Sequence, residues 1–256
     1  MQLRSPRLRS QLPSGPLRLG ARIEALVRAA TCAVLGDDGV PLPLGRLATG
    51  DAALDAALDG GLPEGRLVEL YGGPGSGKTW LALRLAAAAQ QRGAVAFLDV
   101  DGAFDAVRAV AAGVDLGTLV VARPSTGEQA LQIAEALLRS RACSLLILDS
   151  VAALLPRAEL AVPLGEGAPG LQARMLSVGL RRLVHAGLQS GAVGLFVNQT
   201  RLALDGATPE LVTAGGSALR FYAALRLEVS RGAQGAAVRV EKNRHGREGA
   251  VIGLTP

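Results

Sequence analysis

The sequence predicts an α/β protein whose mainly parallel central sheet has helices on both faces. Of the 256 residues, 49% are hydrophobic, which is enough for a sizeable core. From residue 46 onward short apolar segments alternate with amphipathic ones, a pattern typical of strands joined by helical crossovers. One apolar segment also leads into a glycine-rich stretch that opens a helical segment. The two cysteines, Cys32 and Cys143, lie in unrelated segments, which excludes a disulfide scaffold and gives no zinc-binding spacing.

The chain divides into a basic tail at 1–19, a helix and linker at 20–45 and a core at 46–256. Apolar residues at helical spacing predict the helix at 20–35, and a Gly/Pro-rich linker follows it. Five arginines precede the first acidic residue, Glu24, and the remaining 22 cations and 22 anions balance. The net charge of +5 therefore belongs to residues 1–22, the tail and the first residues of the helix. The tail could bind nucleic acid or an acidic partner, or could be a solvated end.

The core is predicted to begin with a strand and then to alternate strands with helices. Strands are expected at 66–71, 94–100, 119–122, 144–149, 193–198, 224–229 and 236–242, and helices at 78–91, 103–112, 126–139 and 171–189. The last two strands are joined by a glycine-rich turn and are expected to be antiparallel. No run of about 20 apolar residues predicts a transmembrane helix. No secretory signal is visible either, so a cytoplasmic protein is expected.

The most specific motif is a phosphate-binding loop of the form G-x-x-x-x-G-K-T. Its glycines let the backbone wrap closely around phosphate oxygens, and the following helix adds a favourable dipole. The lysine reaches the β- and γ-phosphates and the threonine hydroxyl binds Mg²⁺. The motif consists of Gly72, Gly73, Pro74, Gly75, Ser76, Gly77, Lys78 and Thr79. It lies between a predicted strand and a predicted helix, so the sequence predicts a nucleotide site.

Two acidic residues that follow apolar strands are candidates for the same site. Asp149 ends the strand at 144–149, which suits a carboxylate that holds Mg²⁺ through its water shell. Asp101 follows the strand at 94–100 and is the candidate base for a hydrolytic water. An ordinary helix N-cap before 103–112 is the alternative for Asp101.

Several long segments of the core resemble the bacterial RecA recombinases. The match covers roughly residues 46–254 and includes LVELYGGPGSGKT (67–79), PSTGEQALQIAEALLRS (124–140), FVNQTR (196–201), GGSALRFYAALRLEV (215–229) and VEKNR (240–244). The resemblance implies a RecA-like P-loop NTPase core with an N-terminal helix appended. It also implies that ATP and Mg²⁺ bind between neighbouring subunits of a helical filament on single-stranded DNA.

The resemblance assigns further residues. Gln199 matches the residue that senses the γ-phosphate, and Lys242 and Arg244 match the cations that reach ATP across the subunit interface. Residues 161–170 and 200–214 match the two DNA-binding loops, with the candidate DNA contacts Arg174, Arg181 and Arg201. Phe221 matches a residue at which the family packs subunits together.

Departures from the family pattern are expected to change the chemistry. Where the family has a catalytic glutamate this chain has Asp101, whose carboxylate sits about 1–1.5 Å further from the water and predicts slow hydrolysis. Asp105 and Arg108 are assigned to the nucleotide site, Arg108 at the position of an aromatic residue that stacks on adenine. Trp80 follows Thr79 where a small polar residue is usual, and it either contacts the nucleotide or packs into the core beneath the helix.

The loops also depart from the pattern, since 200–214 has no aromatic residue and a single cation, and 161–170 has one acid and no base. The chain stops at Pro256, so the family's C-terminal domain is expected to be absent.

Two functional hypotheses follow. In the first, the chain is an accessory or divergent paralogue in DNA repair and the SOS response. It would hydrolyse ATP slowly and modulate a recombinase filament or a translesion polymerase complex, as proteins of the ImuA type do. In the alternative, it is an authentic single-stranded-DNA-dependent ATPase and recombinase that catalyses strand exchange. A different ATPase of the RecA superfamily, of the circadian-clock or branch-migration kinds, is a third and more remote hypothesis.

Overall fold

A computed structural model describes residues 44–163, 166, 168–203, 210–232 and 235–254. The tail predicted at 1–19, the helix predicted at 20–35 and most of the linker lie outside the described residues. None of the described helices is both long enough and apolar enough to span a bilayer.

A nine-stranded sheet forms the centre of the core, and a separate two-stranded antiparallel sheet precedes it. This small sheet pairs β1 (Arg46–Leu47) with β2 (Leu62–Pro63). The sheet strands are β3 (Leu67–Gly72), β4 (Ala94–Asp99), β5 (Leu119–Ala122), β6 (Cys143–Asp149), β7 (Val193–Ala203), β8 (Glu210–Thr213), β9 (Leu225–Gly232), β10 (Gly235–Asn243) and β11 (Val251–Leu254). Their order is β11-β10-β9-β3-β7-β6-β4-β5, and β8 pairs with β7. The strands from β9 to β5 are mutually parallel, whereas β10 is antiparallel to both β9 and β11. Both the parallel sheet and the antiparallel pairing of β9 with β10 were predicted and are confirmed.

Helices cover both faces of this sheet. They are α1 (Ala52–Ala57), α2 (Lys78–Ala89), α3 (Ala106–Ala111), α4 (Gly127–Ser140), α5 (Arg157–Leu160), α6 (Leu171–Ser190) and α7 (Ala218–Tyr222). Successive residues of β6 alternate between the two sides: Leu145 and Ile147 pack in one buried cluster with α2, and Leu146 and Leu148 pack in another with α4 and α6. The predicted α/β class with two helical layers is therefore confirmed.

The parallel strands bring the predicted site together at one edge of the sheet. The carboxyl ends of β3, β4, β6 and β7 lie side by side, with Gly72 opposite Gln199 and Asp99 opposite Asp149. This edge is where ligands bind in open parallel sheets.

Two local predictions differ from the structure. The strand predicted to end at residue 198 continues to Ala203, because Thr200 to Ala203 pair antiparallel with β8 inside the predicted loop 200–214. The helix predicted at 103–112 begins only at Ala106. Its delayed start has a local cause, since the Asp99 carboxylate accepts the backbone N–H of Phe104 and turns the chain first.

Candidate nucleotide-binding site

The glycine-rich loop joins β3 to α2 in a conformation that only glycine adopts without strain. Gly75 and Gly77 have positive φ angles of 67° and 98°, and Gly77 is the N-cap of α2. The backbone can therefore turn back on itself at the N-terminus of the helix, where unpaired N–H groups favour an anion.

Lys78 is held at this loop by backbone carbonyls. Its Nζ donates to Gly73 O at 2.7 Å and to Gly72 O at 3.1 Å, and the residue is only 8% exposed. Burial lowers the pKa of Lys78, and the charge of Asp149 partly opposes that effect. The ammonium is thus positioned within the loop that cradles the β- and γ-phosphates in proteins with this motif.

Thr79 and Asp149 meet as the motif predicts. Thr79 Oγ1 donates to Asp149 Oδ2 at 2.8 Å, which links the start of α2 to the end of β6. Burial raises the pKa of Asp149 to about 6; the Thr79 hydrogen bond opposes this rise and the charge of Asp101 adds to it. A cation bound beside this carboxylate would restore its ionised form.

The residues present fit a magnesium–nucleotide complex. A hydroxyl and a carboxylate are oxygen donors of the kind that Mg²⁺ takes, with substrate phosphates and water completing its shell. The described residues contain no cluster of three or more His, Cys, Asp or Glu that could hold a metal ion. Ser76 Oγ, in the loop, is a buried hydroxyl with no hydrogen-bond partner among the described residues. Lys78, Thr79 and Asp149 would hold the phosphates and the ion.

Gln199 lies at the boundary between this site and the β7–β8 hairpin. It is exposed and pairs in register with Gly72, the first residue of the loop motif. Its backbone N–H donates to Asn198 Oδ1, and its carbonyl accepts the N–H of Ala214. Asn198 Nδ2 donates to Ala214 O and to the buried Glu69. The same short backbone segment therefore contacts the nucleotide edge and closes the base of the hairpin.

At the carboxyl end of β4, two aspartates take different positions. Asp101 is exposed, lies two residues after β4 and accepts from the N–H of Ala103 at 3.3 Å. Asp99 is buried, and its carboxylate accepts from Arg123 Nε at 2.9 Å. The sequence analysis missed Asp99. The available signal was a second acidic residue at the end of the apolar strand, two residues before Asp101. The role of Asp101 as a base stays a prediction.

The N-cap alternative for Asp101 is wrong, because Asp105 caps α3. The Asp105 carboxylate accepts from the N–H groups of Val107 and Arg108, at 2.8 and 3.2 Å. Arg108 also forms an ion pair with Asp105 at 3.5 Å, and its side chain is 83% exposed. Both residues lie on the surface of α3, and their assignment to the nucleotide stays a prediction.

Trp80 occupies an intermediate position. It is half-buried against the apolar cluster of α2, and the Arg84 guanidinium lies 5.2 Å from its ring centroid. It also lines a cavity of about 400 Å³ beside residues 75–77. Core packing, the second alternative for Trp80, thus describes only part of its surroundings.

Comparison with known proteins adds to this geometry. A family model described as the RecA N-terminal domain matches residues 21–250. The chain belongs to the RecA family. It is 47% identical over 201 residues to Protein RecA of Chloroflexus aggregans and 48% identical to those of Roseiflexus sp. and Frankia alni. Each alignment covers 77% of this chain but only 57–58% of the relative. The chain therefore spans less than two thirds of the curated RecA proteins that it matches.

In this RecA-family chain, Lys242 and Arg244 lie away from the glycine-rich loop. Lys242 pairs in register with Arg226 of β9, and Arg226 pairs with Glu69 of β3. Glu69 precedes Gly72 by three residues, or roughly 10 Å along the strand. The two cations therefore lie toward the end of the sheet opposite to the loop of their own chain.

Both cations instead hold the C-terminal end of α7, which carries Phe221. Lys242 Nζ donates to the carbonyls of Arg220 and Ala223, both at 2.7 Å, and Arg244 Nη2 donates to the carbonyl of Phe221 at 2.6 Å. Phe221 itself is 65% exposed. The three residues that the RecA resemblance assigns to a subunit interface thus form one surface, and their roles there stay predictions.

The three candidate DNA-contacting arginines are all exposed. Arg174 and Arg181 lie seven residues apart on α6, so they share approximately one face of the helix. Arg201 lies on β7 and lines a cavity of about 440 Å³ with segments 152–155 and 168–173. Part of each predicted loop, residues 164–165, 167 and 204–209, lies outside the described residues.

Proposed function

We propose that this RecA-family chain binds ATP with Mg²⁺ and hydrolyses it in assemblies on single-stranded DNA, as a DNA-dependent ATPase of recombination. Lys78 and the loop N–H groups would hold the phosphates, while Thr79 and Asp149 would hold the ion. The ion would neutralise charge on the phosphates during transfer. The names of the relatives and the geometry at the carboxyl edge of the sheet support this proposal.

The observation that carries the proposal is the pairing of Gly72 with Gln199. Because Gln199 lies beside Gly72, the first residue of the glycine-rich loop, its side chain could contact the γ-phosphate of a bound nucleotide. The same residue shares backbone hydrogen bonds with Ala214 at the base of the β7–β8 hairpin. A change at Gln199 would therefore move the hairpin, which contains part of the predicted second DNA loop. Arg174, Arg181 and Arg201 would supply cationic contacts to DNA phosphates.

A complete ATPase site would require a second subunit. Since Lys242 and Arg244 lie toward the end of the sheet opposite to their own loop, they would contact the phosphates of a neighbour. A cation supplied in this way raises hydrolysis only on assembly, as an arginine finger does. The exposed Phe221 beside them would be buried in the same contact. A repeated head-to-tail contact of this kind builds a ring or a helical filament.

Mixing two inactive variants tests this composite site. Lys78→Ala removes the loop lysine, and Arg244→Ala removes the cation supplied to the neighbour; each variant alone should lose most turnover. In an equal mixture about one interface in four joins an intact loop to an intact Arg244, so turnover should recover to about a quarter of the wild-type rate. Turnover in the mixture equal to the mean of the two variants would contradict the shared site. Thermal melting of each variant checks that α7 remains folded.

A second function is favoured by the position of Asp101. This exposed aspartate interacts with the backbone N–H of Ala103 and would have to reach further than a glutamate to touch a hydrolytic water. Slow hydrolysis would suit an accessory protein of DNA repair and the SOS response. Such a protein would use its nucleotide state to join a RecA filament or a translesion polymerase complex. Measurable ATP binding without DNA-stimulated turnover would favour this second function.

A further inference from the structure

Glu69 is a buried charged residue in a strand that is otherwise uncharged. It lies within β3, whose sequence is LVELYG, and it is fully buried. Its Oε2 accepts from Arg226 Nε at 2.6 Å, and its Oε1 accepts from Asn198 Nδ2 at 2.9 Å. A buried ion pair is often no more stabilising than two well-packed apolar residues of similar volume. Stability alone therefore gives no reason for a carboxylate here, whereas the hydrogen bond to Asn198 is a contact that an apolar residue does not supply.

The amide of Asn198 is fully hydrogen-bonded in the interior. Asn198 is completely buried, and its Nδ2 donates both to Glu69 and to the carbonyl of Ala214, the latter at 3.0 Å. Its Oδ1 accepts from the backbone N–H of Gln199 at 2.9 Å. Both partners of Nδ2 are acceptors without a proton to donate, so only one orientation of the amide satisfies the network. If the amide were rotated by half a turn, its oxygen would face the carboxylate and would be withdrawn from Gln199. The Glu69 carboxylate therefore fixes the orientation of the Asn198 amide.

The oriented amide joins the two residues that close the β7–β8 hairpin. Gln199 belongs to β7, and Ala214 directly follows β8. The Gln199 carbonyl accepts the N–H of Ala214 at 3.0 Å. The Asn198 amide contacts the other backbone group of each residue, which is the N–H of Gln199 and the carbonyl of Ala214. Gln199 and Ala214 are therefore tied to each other both directly and through Asn198, so a displacement of Gln199 moves the base of the hairpin.

Glu69 itself lies away from the phosphate-binding edge of the sheet. It precedes Gly72 by three residues, which is roughly 10 Å along the strand. Among the described residues, its carboxylate forms hydrogen bonds with Asn198 and Arg226. A change at Glu69 can therefore alter the support of Gln199 and leave the residues that would hold the phosphates and the ion in place.

We propose that Glu69 is a positioning residue for Gln199: its carboxylate orients the Asn198 amide and so makes Gln199 and the β7–β8 hairpin move as one unit. The inference rests on the proposed function, because the signal in question passes between a γ-phosphate at Gln199 and DNA at the hairpin. Without an acceptor at position 69 the amide can turn, and Gln199 can then move independently of Ala214. DNA at the hairpin then no longer affects the nucleotide, although ATP still binds.

Two double variants that differ only in the acceptor offered to Asn198 test this role. Glu69→Leu with Arg226→Met, the leucine variant, removes the ion pair and the acceptor. Glu69→Gln with Arg226→Met, the glutamine variant, also removes the ion pair, but its side-chain oxygen can accept from Asn198. The experiment measures ATP turnover with and without single-stranded DNA, together with ATP affinity and urea unfolding. DNA stimulation should fall about fivefold or more in the leucine variant and should stay close to the wild-type value in the glutamine variant. ATP affinity and turnover without DNA should be unchanged in both.

The comparison of the two variants decides the result. Equal DNA stimulation in both, whether kept or lost, would overturn the inference, because the acceptor would then make no difference. Asn198→Ala removes the amide and keeps the ion pair, so it should lose stimulation as the leucine variant does. Full stimulation in Asn198→Ala would also overturn the inference, and this single variant provides the test if a double variant fails to fold.

Amide hydrogen exchange in the free protein separates this inference from the proposed function. The backbone N–H groups of Gln199 and Ala214 should exchange faster in the leucine variant than in the wild type and the glutamine variant, while the amides of β6 stay protected. Unchanged exchange at the two amides, or faster exchange throughout the sheet, would overturn the inference. Wild-type turnover that DNA does not stimulate would instead refute the proposed function, and the exchange rates would still decide the role of Glu69.

Discussion

The ion pair between Glu69 and Arg226 lies inside the sheet, next to the segment that carries Gln199. Arg226 Nε donates to Glu69 Oε2 at 2.6 Å, and Asn198 Nδ2 donates to the other carboxylate oxygen at 2.9 Å. The side chain of Glu69 is fully buried, and that of Arg226 is 9% exposed. The guanidinium also stacks over Tyr71, 4.5 Å from the ring centroid. Replacing Arg226 by methionine would keep most of the packing on Tyr71 but leave a buried carboxylate without its cation.

The expected cost follows from this burial. Removing one partner of a buried ion pair typically lowers the free energy of unfolding by about 3–5 kcal/mol, because the remaining charge is desolvated and uncompensated. Replacing both partners with apolar residues is often close to neutral. Arg226→Met should therefore cost about 3–5 kcal/mol, while the double variant Glu69→Leu, Arg226→Met should recover most of that loss.

Urea unfolding of the wild type, both single variants and the double variant measures this coupling. The double-variant cycle should give a coupling energy well above the roughly 0.5 kcal/mol at which distant sites are additive. Additive losses, or an Arg226→Met variant as stable as the wild type, would refute the argument that burial makes this pair critical. The matched control is the pair Arg92 and Glu64, which is 3.0 Å apart at the surface with side chains 60% and 28% exposed. Breaking it should cost no more than about 1 kcal/mol.

Three further predictions concern the nucleotide site. Asp101→Glu should raise ATP turnover, because the longer carboxylate reaches the water; an unchanged or lower rate would count against Asp101 as the base. Asp149→Asn can keep the hydrogen bond from Thr79 but loses the charge, so calorimetry should find that Mg²⁺ no longer strengthens ATP binding. Burial, and secondly the charge of Arg244, lower the pKa of Lys242 to about 8. Its positive charge is present below that pH and is lost above it, so turnover should fall between pH 7 and 9. Lys242→Arg should remove this fall, since a guanidinium stays charged. An identical pH profile in both proteins would contradict the role of Lys242.

The sequence was sufficient for most of the central strands and for the long helices of this molecule. Buried parallel strands consist of nearly continuous apolar residues, so β3, β4 and β6 were predicted to within a residue or so. The loop from Gly72 to Thr79 was predictable because its chemistry demands fixed residue types at fixed spacing. The hydrogen bond between Thr79 and Asp149 was predictable, because the carboxyl ends of parallel strands lie at the same edge of the sheet.

Other features depend on pairing partners that are distant in the chain. β7 extends to Ala203 because its last residues pair with β8. The sequence of residues 193–203 alone does not indicate that partner. The buried role of Asp99 depends on Arg123, which is 24 residues away. The cavity beside Trp80 exists because Arg231 of β9 and Ala236 of β10, which are distant from the loop in the chain, lie against it.

ATP turnover by the purified chain, with and without single-stranded DNA at low and moderate salt, tests the central claim most directly. Coupling through Gln199 predicts that DNA stimulates turnover, that higher salt weakens this stimulation, and that Gln199→Ala abolishes it while ATP still binds. Lys78→Ala should remove both binding and turnover. ATP binding with the same turnover in the presence and absence of DNA would contradict the account and favour a protein partner instead.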